Sequence, residues 1–467
     1  MYRAGHYPEY KKKLMWAAVP LALAACTSQS TMKSYQEIQL TKDPSGHCIN
    51  STEVFSPDDK WIVYDSRSVD SGIGAAGEVA MVNTGTGEIR TLYKTENQTE
   101  FGPGLGAVTF SPAGDRVLFI HGIRNANEEN PYAMTRRTGV AVDINNPMKP
   151  IFLDARSMNP PFVKGALRGG THAHTWSSDG WISYTYNDYL IEQTAKKGSA
   201  AQDLRTIGIM VPGRSVSVPD DGSLENNDGE MFSVIVAEVK DNPKPGSDEV
   251  DKAFDECWIG ANGYVKSDGT RQKHAIAYQG NVRDEAGNTK TEIFVVDIPD
   301  DLLDKIDDLE ISPDPGVRLP VPKALVSRRI TRLERGVSNK PRHWLRSSSD
   351  GEKIGFLAAD EKGVIQFHVV SPNGGDVRKV TNNEFSVKGP FNFSRDGKRV
   401  AYIGDNSVFV TDVETGRTER ISQKYPGDSA PTGAVVWSYD GKTLAFNRHI
   451  KGEDGENYLQ IFLLKEH

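Results

Sequence analysis

The feature that most constrains this chain is a short signature that recurs along it. Each copy has, usually after an aromatic residue, Ser-x-Asp-Gly or a near variant and then an alternating apolar run. Asp supplies hydrogen bonds to a turn and Gly accepts a positive φ, so each signature predicts a tight antiparallel hairpin. Four short strands in about 45 residues are typical of one propeller blade. The copies begin at Phe55, Phe110, Trp176, Ser347, Phe393 and Trp437.

The interval between Trp176 and Ser347 is too long for one blade, and it contains four further strand-like runs without the signature. These runs are residues 232–239, 274–278, 293–298 and 325–330. They predict one more blade, so the fold is an all-β single propeller of seven four-stranded blades. Six blades is the alternative, if this region is an inserted domain. Residues 36–40 have strand character and are predicted to pair with residues 458–463, which closes the ring and removes exposed edges.

Two insertions are predicted within the propeller, which spans residues 36–467. The first covers about residues 241–271 and contains a Ser followed by acidic residues and spaced apolar ones, which predicts a capped amphipathic helix over residues 247–254. The second covers about residues 299–323, where Asp and Pro are frequent and no apolar period is present. We expect it to be a solvated loop packed against one face.

The first residues indicate export. Three lysines precede an apolar run that ends Leu-Ala-Ala at Cys26, and this run is too short to span a bilayer but suits a signal peptide over residues 1–25. The ending resembles a bacterial lipobox, which implies cleavage before Cys26, acylation of Cys26 and a tether over residues 26–35. Thr27 follows in place of the Asp that commonly retains such proteins at the inner membrane. The resemblance therefore implies a lipid anchor on the periplasmic face of the outer membrane.

The net charge bears on the class of partner, and the cysteine content bears on whether a disulfide can form. The formal net charge is −8, so the chain lacks the general basic surface that nucleic-acid binding needs, and no nucleic-acid partner is expected. After lipidation two cysteines remain, Cys48 and Cys257, far apart in sequence. An exported location permits a disulfide, and whether these two pair is left open.

The repeats resemble the WD40-like (PD40) propeller repeat of the periplasmic protein TolB. Irregular segments at residues 165–174, 183–188, 245–249 and 341–346 resemble, more specifically, the uncharacterised bacterial domain-of-unknown-function family 3748. The TolB resemblance implies a binding or scaffolding propeller with a protein or other ligand as its partner. The family 3748 resemblance implies no known activity, so the site has to be argued from residues.

One group of residues carries candidate chemistry. His172 and His174 lie just before Trp176, on an innermost strand, where residues two apart point to one face. His343 precedes Ser347 by the same interval that separates His172 from Trp176, which predicts a similar depth in the central channel. These three imidazoles are predicted to hold one divalent ion, manganese or zinc. Nearby arginines are predicted to bind carboxylates. They are Arg168, Arg342 and Arg346.

A further local resemblance is to oligogalacturonate lyases, seven-bladed propellers in which a His-x-His precedes a blade hairpin and holds manganese. This resemblance implies metal-dependent chemistry on acidic glycans, but Gly169 stands where that family has a ligating Gln. Two functions are therefore carried forward. The main hypothesis is an outer-membrane-anchored periplasmic binding or scaffolding propeller, and the alternative is a divalent-metal-dependent enzyme acting on acidic glycans. Whether the chain is an enzyme is left open.

Overall fold

Seven β-sheets are arranged as the blades of a propeller in the computed structural model, which describes residues 34–199, 201–306 and 309–467 together with Met1, Gly5 and His6. Six blades have four antiparallel strands and one has three. The predicted seven-bladed fold is confirmed. The signal peptide and Cys26 lie outside the described residues.

Within each blade the strands follow one another from the channel outwards. Blade 1 has Trp61–Asp65, Glu78–Asn83 and Ile89–Lys94, and blade 2 has Leu105–Phe110, Arg116–Gly122, Arg137–Asp143 and Ile151–Phe152. Blade 3 has Gly170–Trp176, Ile182–Asn187, Thr206–Val211 and Phe232–Ile235, and blade 4 has Lys252–Trp258, His274–Arg283, Thr289–Ile298 and Ser327–Arg329. Blade 5 has Arg346–Ser347, Ile354–Ala359, Ile365–Val370 and Arg378–Lys379, and blade 6 has Val387–Phe393, Arg399–Gly404, Ser407–Asp412 and Thr418–Arg420. Blade 7 has Pro431–Trp437, Thr443–Lys451, Asn457–Glu466 and Tyr35–Gln39.

The ring closes through the N-terminal strand, as predicted. Tyr35–Gln39 pairs antiparallel with Asn457–Glu466, so that Ile38 lies opposite Leu463. Glu37 accepts a hydrogen bond from Arg448 at 2.7 Å. This bond joins the N-terminal strand, the outermost of blade 7, to the second strand of that blade. The last blade is therefore built from both ends of the described chain.

The recurring signature forms the turn that the sequence predicts. In blade 3 the Ser177 hydroxyl donates to the Asp179 carboxylate at 2.8 Å and accepts from the Trp181 N–H at 2.8 Å, and Gly180 has φ +90°. The same Ser-to-Asp bond recurs in other copies. The pairs are Ser56–Asp58, Ser348–Asp350, Ser394–Asp396 and Ser438–Asp440.

Blade 4 differs from the prediction. The helix expected over residues 247–254 is wrong, because Lys252–Trp258 is the innermost strand of this blade, and residues 241–271 are therefore not simply an insertion. Phe232–Ile235, assigned to blade 4 from the sequence, is instead the outermost strand of blade 3. Lys252–Trp258 is buried on both faces between neighbouring blades, so it lacks the polar alternation that marks a strand in sequence.

The innermost strands share a bulge a few residues before their last aromatic residue. The pairing register shifts between His172 and Thr175 in blade 3 and between Phe254 and Cys257 in blade 4, and at matching places in blades 2, 6 and 7. Each bulge contains a residue with positive φ. These residues are Ala107, Ala173, Asp255, Gly389 and Gly433.

Apolar side chains pack in layers between neighbouring blades, which puts the core around the ring and leaves its axis to polar groups. Between blades 3 and 4 the layer includes Ile209, Tyr278 and Phe294. Leu302 and Ile306, from the segment predicted as a solvated loop over residues 299–323, are buried in the same layer. The one α-helix of the described chain, Tyr189–Lys196, lies between the second and third strands of blade 3.

The remaining regular elements are short. They are the paired strands Ala155–Arg156 and Ala166–Leu167, the hairpin Tyr264–Val265 with Arg271–Gln272, and the 3₁₀ turns Gly72–Ala75, Leu302–Ile306 and Gly427–Ser429. Within the described residues, none of the helices is long and apolar enough to cross a bilayer.

Candidate functional site

Antiparallel pairing fixes which residues meet at each end of the central channel. Within a blade the first and third strands begin at the same end, opposite the Ser-x-Asp-Gly hairpins. Arg137 begins the third strand of blade 2 and Arg205 immediately precedes that of blade 3, while Lys252 begins the innermost strand of blade 4 and Arg342 lies just before that of blade 5. We call this end the channel mouth. Its residues are Tyr132, Arg137, His172, Arg205, Lys252, Asp255, Glu256 and Arg342.

The two histidines of blade 3 face opposite neighbours. His172 is paired with Thr185, whose hydroxyl donates to Glu256 of blade 4 at 2.9 Å, so the His172 side chain also faces blade 4. His174 Nε2 lies 3.0 Å from the Thr171 hydroxyl, which itself bonds to Asp154 of blade 2. The bulge at Ala173, with φ +58°, breaks the alternation on which the shared face was predicted.

His343 has no lone pair to offer a metal. Its Nδ1 lies 3.2 Å from the Pro341 carbonyl, which requires the N–H there, and its Nε2 accepts the Leu357 backbone N–H at 3.1 Å. No group of three or more His, Cys, Asp or Glu in the described part of the chain is arranged to hold a metal ion. The three-histidine set therefore does not fit manganese or zinc, and we derive no chemistry through a metal.

Two of the three predicted arginines are buried and bonded within the protein. Arg168 is buried and pairs with Asp188 at 2.7 Å, and Asp188 also caps the α-helix. Arg346 is buried below the channel mouth, donating to Asn392 at 2.9 Å and to the Ser51 hydroxyl at 2.9 Å. Their donors are occupied by the protein, so neither is placed to bind a ligand.

The third predicted arginine, Arg342, does lie at the channel mouth. Its side chain is 45% exposed and it pairs with Asp255 at 2.8 Å. The guanidinium also stacks on Trp344, 4.4 Å from the ring centroid. This arginine is therefore held in place while keeping a face open to solvent.

The channel is crossed by side chains below its mouth. Arg346 of blade 5 and Asn392 of blade 6 both bond to Ser51, which precedes blade 1. Glu53 lies at this level, half-buried but with one carboxylate oxygen fully shielded from solvent, and accepts the Trp176 backbone N–H. These contacts close the channel beneath the mouth.

Two arginines of the mouth were not predicted from the sequence. Arg137 stacks on Tyr132, 4.9 Å from the ring centroid, and bonds to the Ala133 carbonyl and the Met134 sulfur, while Arg205 bonds to the Asn187 amide oxygen. Neither has a carboxylate within ion-pair distance among the described residues. Both lie in or next to connections between strands, where no repeat signature marks them.

Burial and repulsion from neighbouring arginines lower the pKa values of Arg137 and Lys252. Desolvation first, and then nearby arginines including Arg205 and Arg342, lowers the pKa of Arg137 to about 10. Burial and the same arginines hold the pKa of His172 well below its usual range, so this imidazole is neutral at pH 7. Desolvation, and then Arg205, also lowers the pKa of Lys252. The mouth is a region of concentrated positive charge around a neutral histidine.

Several buried polar atoms at the mouth have no hydrogen-bond partner. They are both ring nitrogens of His172, the Tyr132 hydroxyl and Glu256 Oε1. Burial also raises the pKa of Glu256 to about 7, against the effect of the Thr185 hydroxyl. Buried polar groups are nearly always hydrogen-bonded in folded proteins, so such a group of unpaired atoms in one pocket indicates a site that something else completes.

Comparisons with known proteins agree with this fold. A family model described as protein of unknown function (DUF3748) matches residues 104–225, which confirms the resemblance predicted from the irregular segments. The uncharacterized protein YidR of Escherichia coli (strain K12) is 32% identical over 416 residues, which cover 87% of this chain and 94% of YidR.

Solved structures add the fold alone. An oligogalacturonate lyase in complex with manganese has a TM-score of 0.52 at 11% identity, with 94% of each chain covered. A TolB structure from Agrobacterium tumefaciens has a TM-score of 0.38 at 14% identity, with 84% of this chain and 98% of that chain covered. The lyase structure shares the β-propeller fold, in line with the resemblance predicted from the His-x-His motif.

Proposed function

This chain belongs to the family of YidR, and from its own residues we propose that it is an exported, lipid-anchored propeller that binds a small ligand in the channel mouth. The observation that carries this proposal is His172. Its side chain is buried, and neither ring nitrogen has a hydrogen-bond partner among the described residues. An unpaired buried polar group costs about 1–3 kcal/mol, so a site that keeps two such atoms on one ring is best explained by a ligand that bonds to them.

The shape of the mouth supports a small ligand over a protein partner. The mouth is closed below, because Arg346, Asn392 and Ser51 bond across the channel beneath it. Its polar atoms lie at depth, where a flat protein surface would not reach them. A scaffolding role would not explain why both ring nitrogens of His172 lack a hydrogen-bond partner among the described residues.

Binding is tested by equilibrium dialysis of the purified protein against a small-molecule extract of bacterial periplasm, read out by mass spectrometry. We expect at least one compound to be enriched by the wild type and lost in His172→Leu. The matched control is His368→Leu, because His368 is a buried histidine in blade 5 whose Nδ1 is already bonded to the Gln366 carbonyl. No enrichment, or equal enrichment by all three proteins, contradicts the proposal.

Anchoring is proposed from the sequence of the first 26 residues, where the apolar run ends at Cys26. The proposed location is the periplasmic face of the outer membrane. We expect mass analysis of the mature N terminus to show an acylated Cys26, and Cys26→Ala to leave an unlipidated precursor. A mature N terminus at another residue, without acyl groups, contradicts this part of the proposal.

The alternative of a divalent-metal-dependent enzyme on acidic glycans is weakened by its ligand set. His174 faces blade 2 and both nitrogens of His343 are bonded within the protein. The dialysis experiment also tests this alternative, since an enzyme would convert the enriched compound while a binding protein returns it unchanged.

A further inference from the structure

We propose that the ligand of the channel mouth is a small molecule bearing an oxyanion, a carboxylate or a phosphate, held by Arg137, Arg205 and Arg342. This inference rests on the proposed function and adds the chemical class of the ligand. Of these three cations, only Arg342 was predicted from the sequence to bind a carboxylate.

Three different blades bring these guanidinium groups to the same end of the channel. Arg137 comes from blade 2, Arg205 from blade 3 and Arg342 from blade 5, all at the end where first and third strands begin. Their proximity is visible in their electrostatics, because Arg205 and Arg342 each lower the pKa of Arg137, after the larger effect of its burial. Cations brought this close repel one another unless an anion lies between them.

The protein supplies too little negative charge at the mouth to balance the three arginines. Asp255 serves Arg342 at 2.8 Å. Arg137 is buried and bonds only to a carbonyl, a thioether and an aromatic face, and Arg205 bonds only to an amide oxygen. Lys252 adds a further positive charge at the same end, lying over the Phe254 ring at 4.2 Å. Buried charges are normally paired, so the buried Arg137, with the partly buried Arg205 near it, offers guanidinium donors that suit an anionic ligand.

Arg67 provides a contrast. It lies in the connection after the strand Trp61–Asp65 of blade 1 and is as deeply buried as Arg137. Arg67 has a full carboxylate partner, because its Nε and Nη2 donate to the two oxygens of Asp65 at 2.6 and 2.9 Å. The chain therefore provides an internal counter-ion for a guanidinium that has a structural role. Arg137 and Arg205 have no carboxylate at ion-pair distance among the described residues, although Asp255, Asp203 and Glu256 favour the charged form of Arg205 from further away. Their fork-shaped donors match carboxylate and phosphate oxygens.

Polar groups that carry no positive charge lie beside the three arginines. His172 stays neutral, so it offers one N–H and one lone pair, and Glu256 Oε1 and the Tyr132 hydroxyl are also unpaired. These groups suit an uncharged polar part of the same ligand. The chain as a whole carries a net charge of −8, so this cluster of cations lies within a protein that is acidic overall.

The inference is tested by isothermal titration of detergent-solubilised full-length protein with citrate, inorganic phosphate and uncharged erythritol. We expect one of the two anions to bind and erythritol not to. Stronger citrate binding assigns a carboxylate ligand and stronger phosphate binding assigns a phosphate ligand. Arg137→Gln and Arg205→Gln should each weaken that binding about 10-fold or more, as expected for losing a charge-assisted bond.

The matched control is Arg90→Gln, because Arg90 is an exposed arginine on the outer strand of blade 1 that pairs with Glu88. Its affinity should equal that of the wild type. Arg205 is only partly buried, so Arg205→Gln keeps the test decisive if Arg137→Gln unfolds. Absence of anion binding, or equal binding by all variants, overturns the inference. If the dialysis ligand is uncharged yet still lost in His172→Leu, the proposed function stands and the anion class is wrong.

Discussion

Glu53 shows at the scale of one residue how the channel is closed. Burial raises the pKa of its carboxyl to about 7, even though Arg395, Arg346 and the Trp176 N–H all favour the charged form. One of its carboxylate oxygens has no hydrogen-bond partner among the described residues. The folded protein therefore prefers a protonated Glu53, whereas the unfolded chain ionises it at an ordinary carboxyl pKa.

This preference predicts a pH dependence of stability. Because the folded pKa is raised, the contribution is fully present below pH 4.5 and is lost as the pH rises through about 7. The wild type should lose up to about 3 kcal/mol more stability between pH 5 and pH 8 than Glu53→Gln. Urea unfolding of both proteins at the two pH values measures this difference. Parallel pH profiles would show that Glu53 does not titrate as described.

At the same scale, the candidate site was predictable only in part. His172 could be found because it lies at a fixed interval before a hairpin signature, and Arg342 because it lies in the same segment as His343. Arg137 and Arg205 could not, since nothing local in a strand connection reveals which blades it will face. The shared face of His172 and His174 failed because an Ala with positive φ lies between them, and Ala gives no sequence signal for a bulge.

Among the elements, the bulged innermost strand is the one that orients the site. Ala173 is half-buried and has φ +58°, a conformation that costs a non-glycine residue about 1 kcal/mol or more. Ala173→Gly should therefore leave stability unchanged or raise it, while Ala173→Val should cost about 1–3 kcal/mol. The control is Ala359→Gly, because Ala359 is a half-buried Ala in an ordinary strand of blade 5 and should lose about 0.5–1 kcal/mol. Equal losses at both glycine positions would argue against the bulge.

The N-terminal strand gives a second prediction at this scale. Deletion of residues 34–41 should expose the edge of Asn457–Glu466 and cause aggregation or a lower thermal midpoint. A finer comparison uses Ile38, which packs against the layer between blades 7 and 1, and the exposed Gln36. Ile38→Asp should cost about 2 kcal/mol and Gln36→Asp close to nothing. An unchanged midpoint after the deletion would mean that the strand does not close the ring.

In the whole molecule, the blade count was predictable because each hairpin signature specifies a turn by its own residues. Blade 4 lacks the signature, and its innermost strand, Lys252–Trp258, is buried on both faces. A Ser followed by acidic residues therefore suggested a helix where tertiary burial imposes a strand. The propeller could be predicted because the same hairpin signature recurs around the ring. The prediction was wrong in blade 4, where burial of the strand on both faces overrides the helical preference of its local sequence.

The two cysteines give a prediction on the whole molecule. Cys48 precedes blade 1 and Cys257 lies in blade 4, and both are free and buried, with the pKa of each thiol raised to about 12 by desolvation. Thiol reagents should leave both unmodified in the native protein and label both after unfolding without reductant. Labelling of neither after unfolding would reveal a disulfide that this arrangement excludes.

The central claim is that the channel mouth is an anion-binding pocket. Its most direct test is a crystal structure of the protein grown without oxyanions and then soaked in selenate, whose anomalous signal locates the anion. The account predicts an anomalous peak within hydrogen-bond distance of Arg137 and Arg205, and its absence in crystals of Arg137→Gln. A mouth that holds only water, with selenate bound elsewhere on the surface, would contradict it.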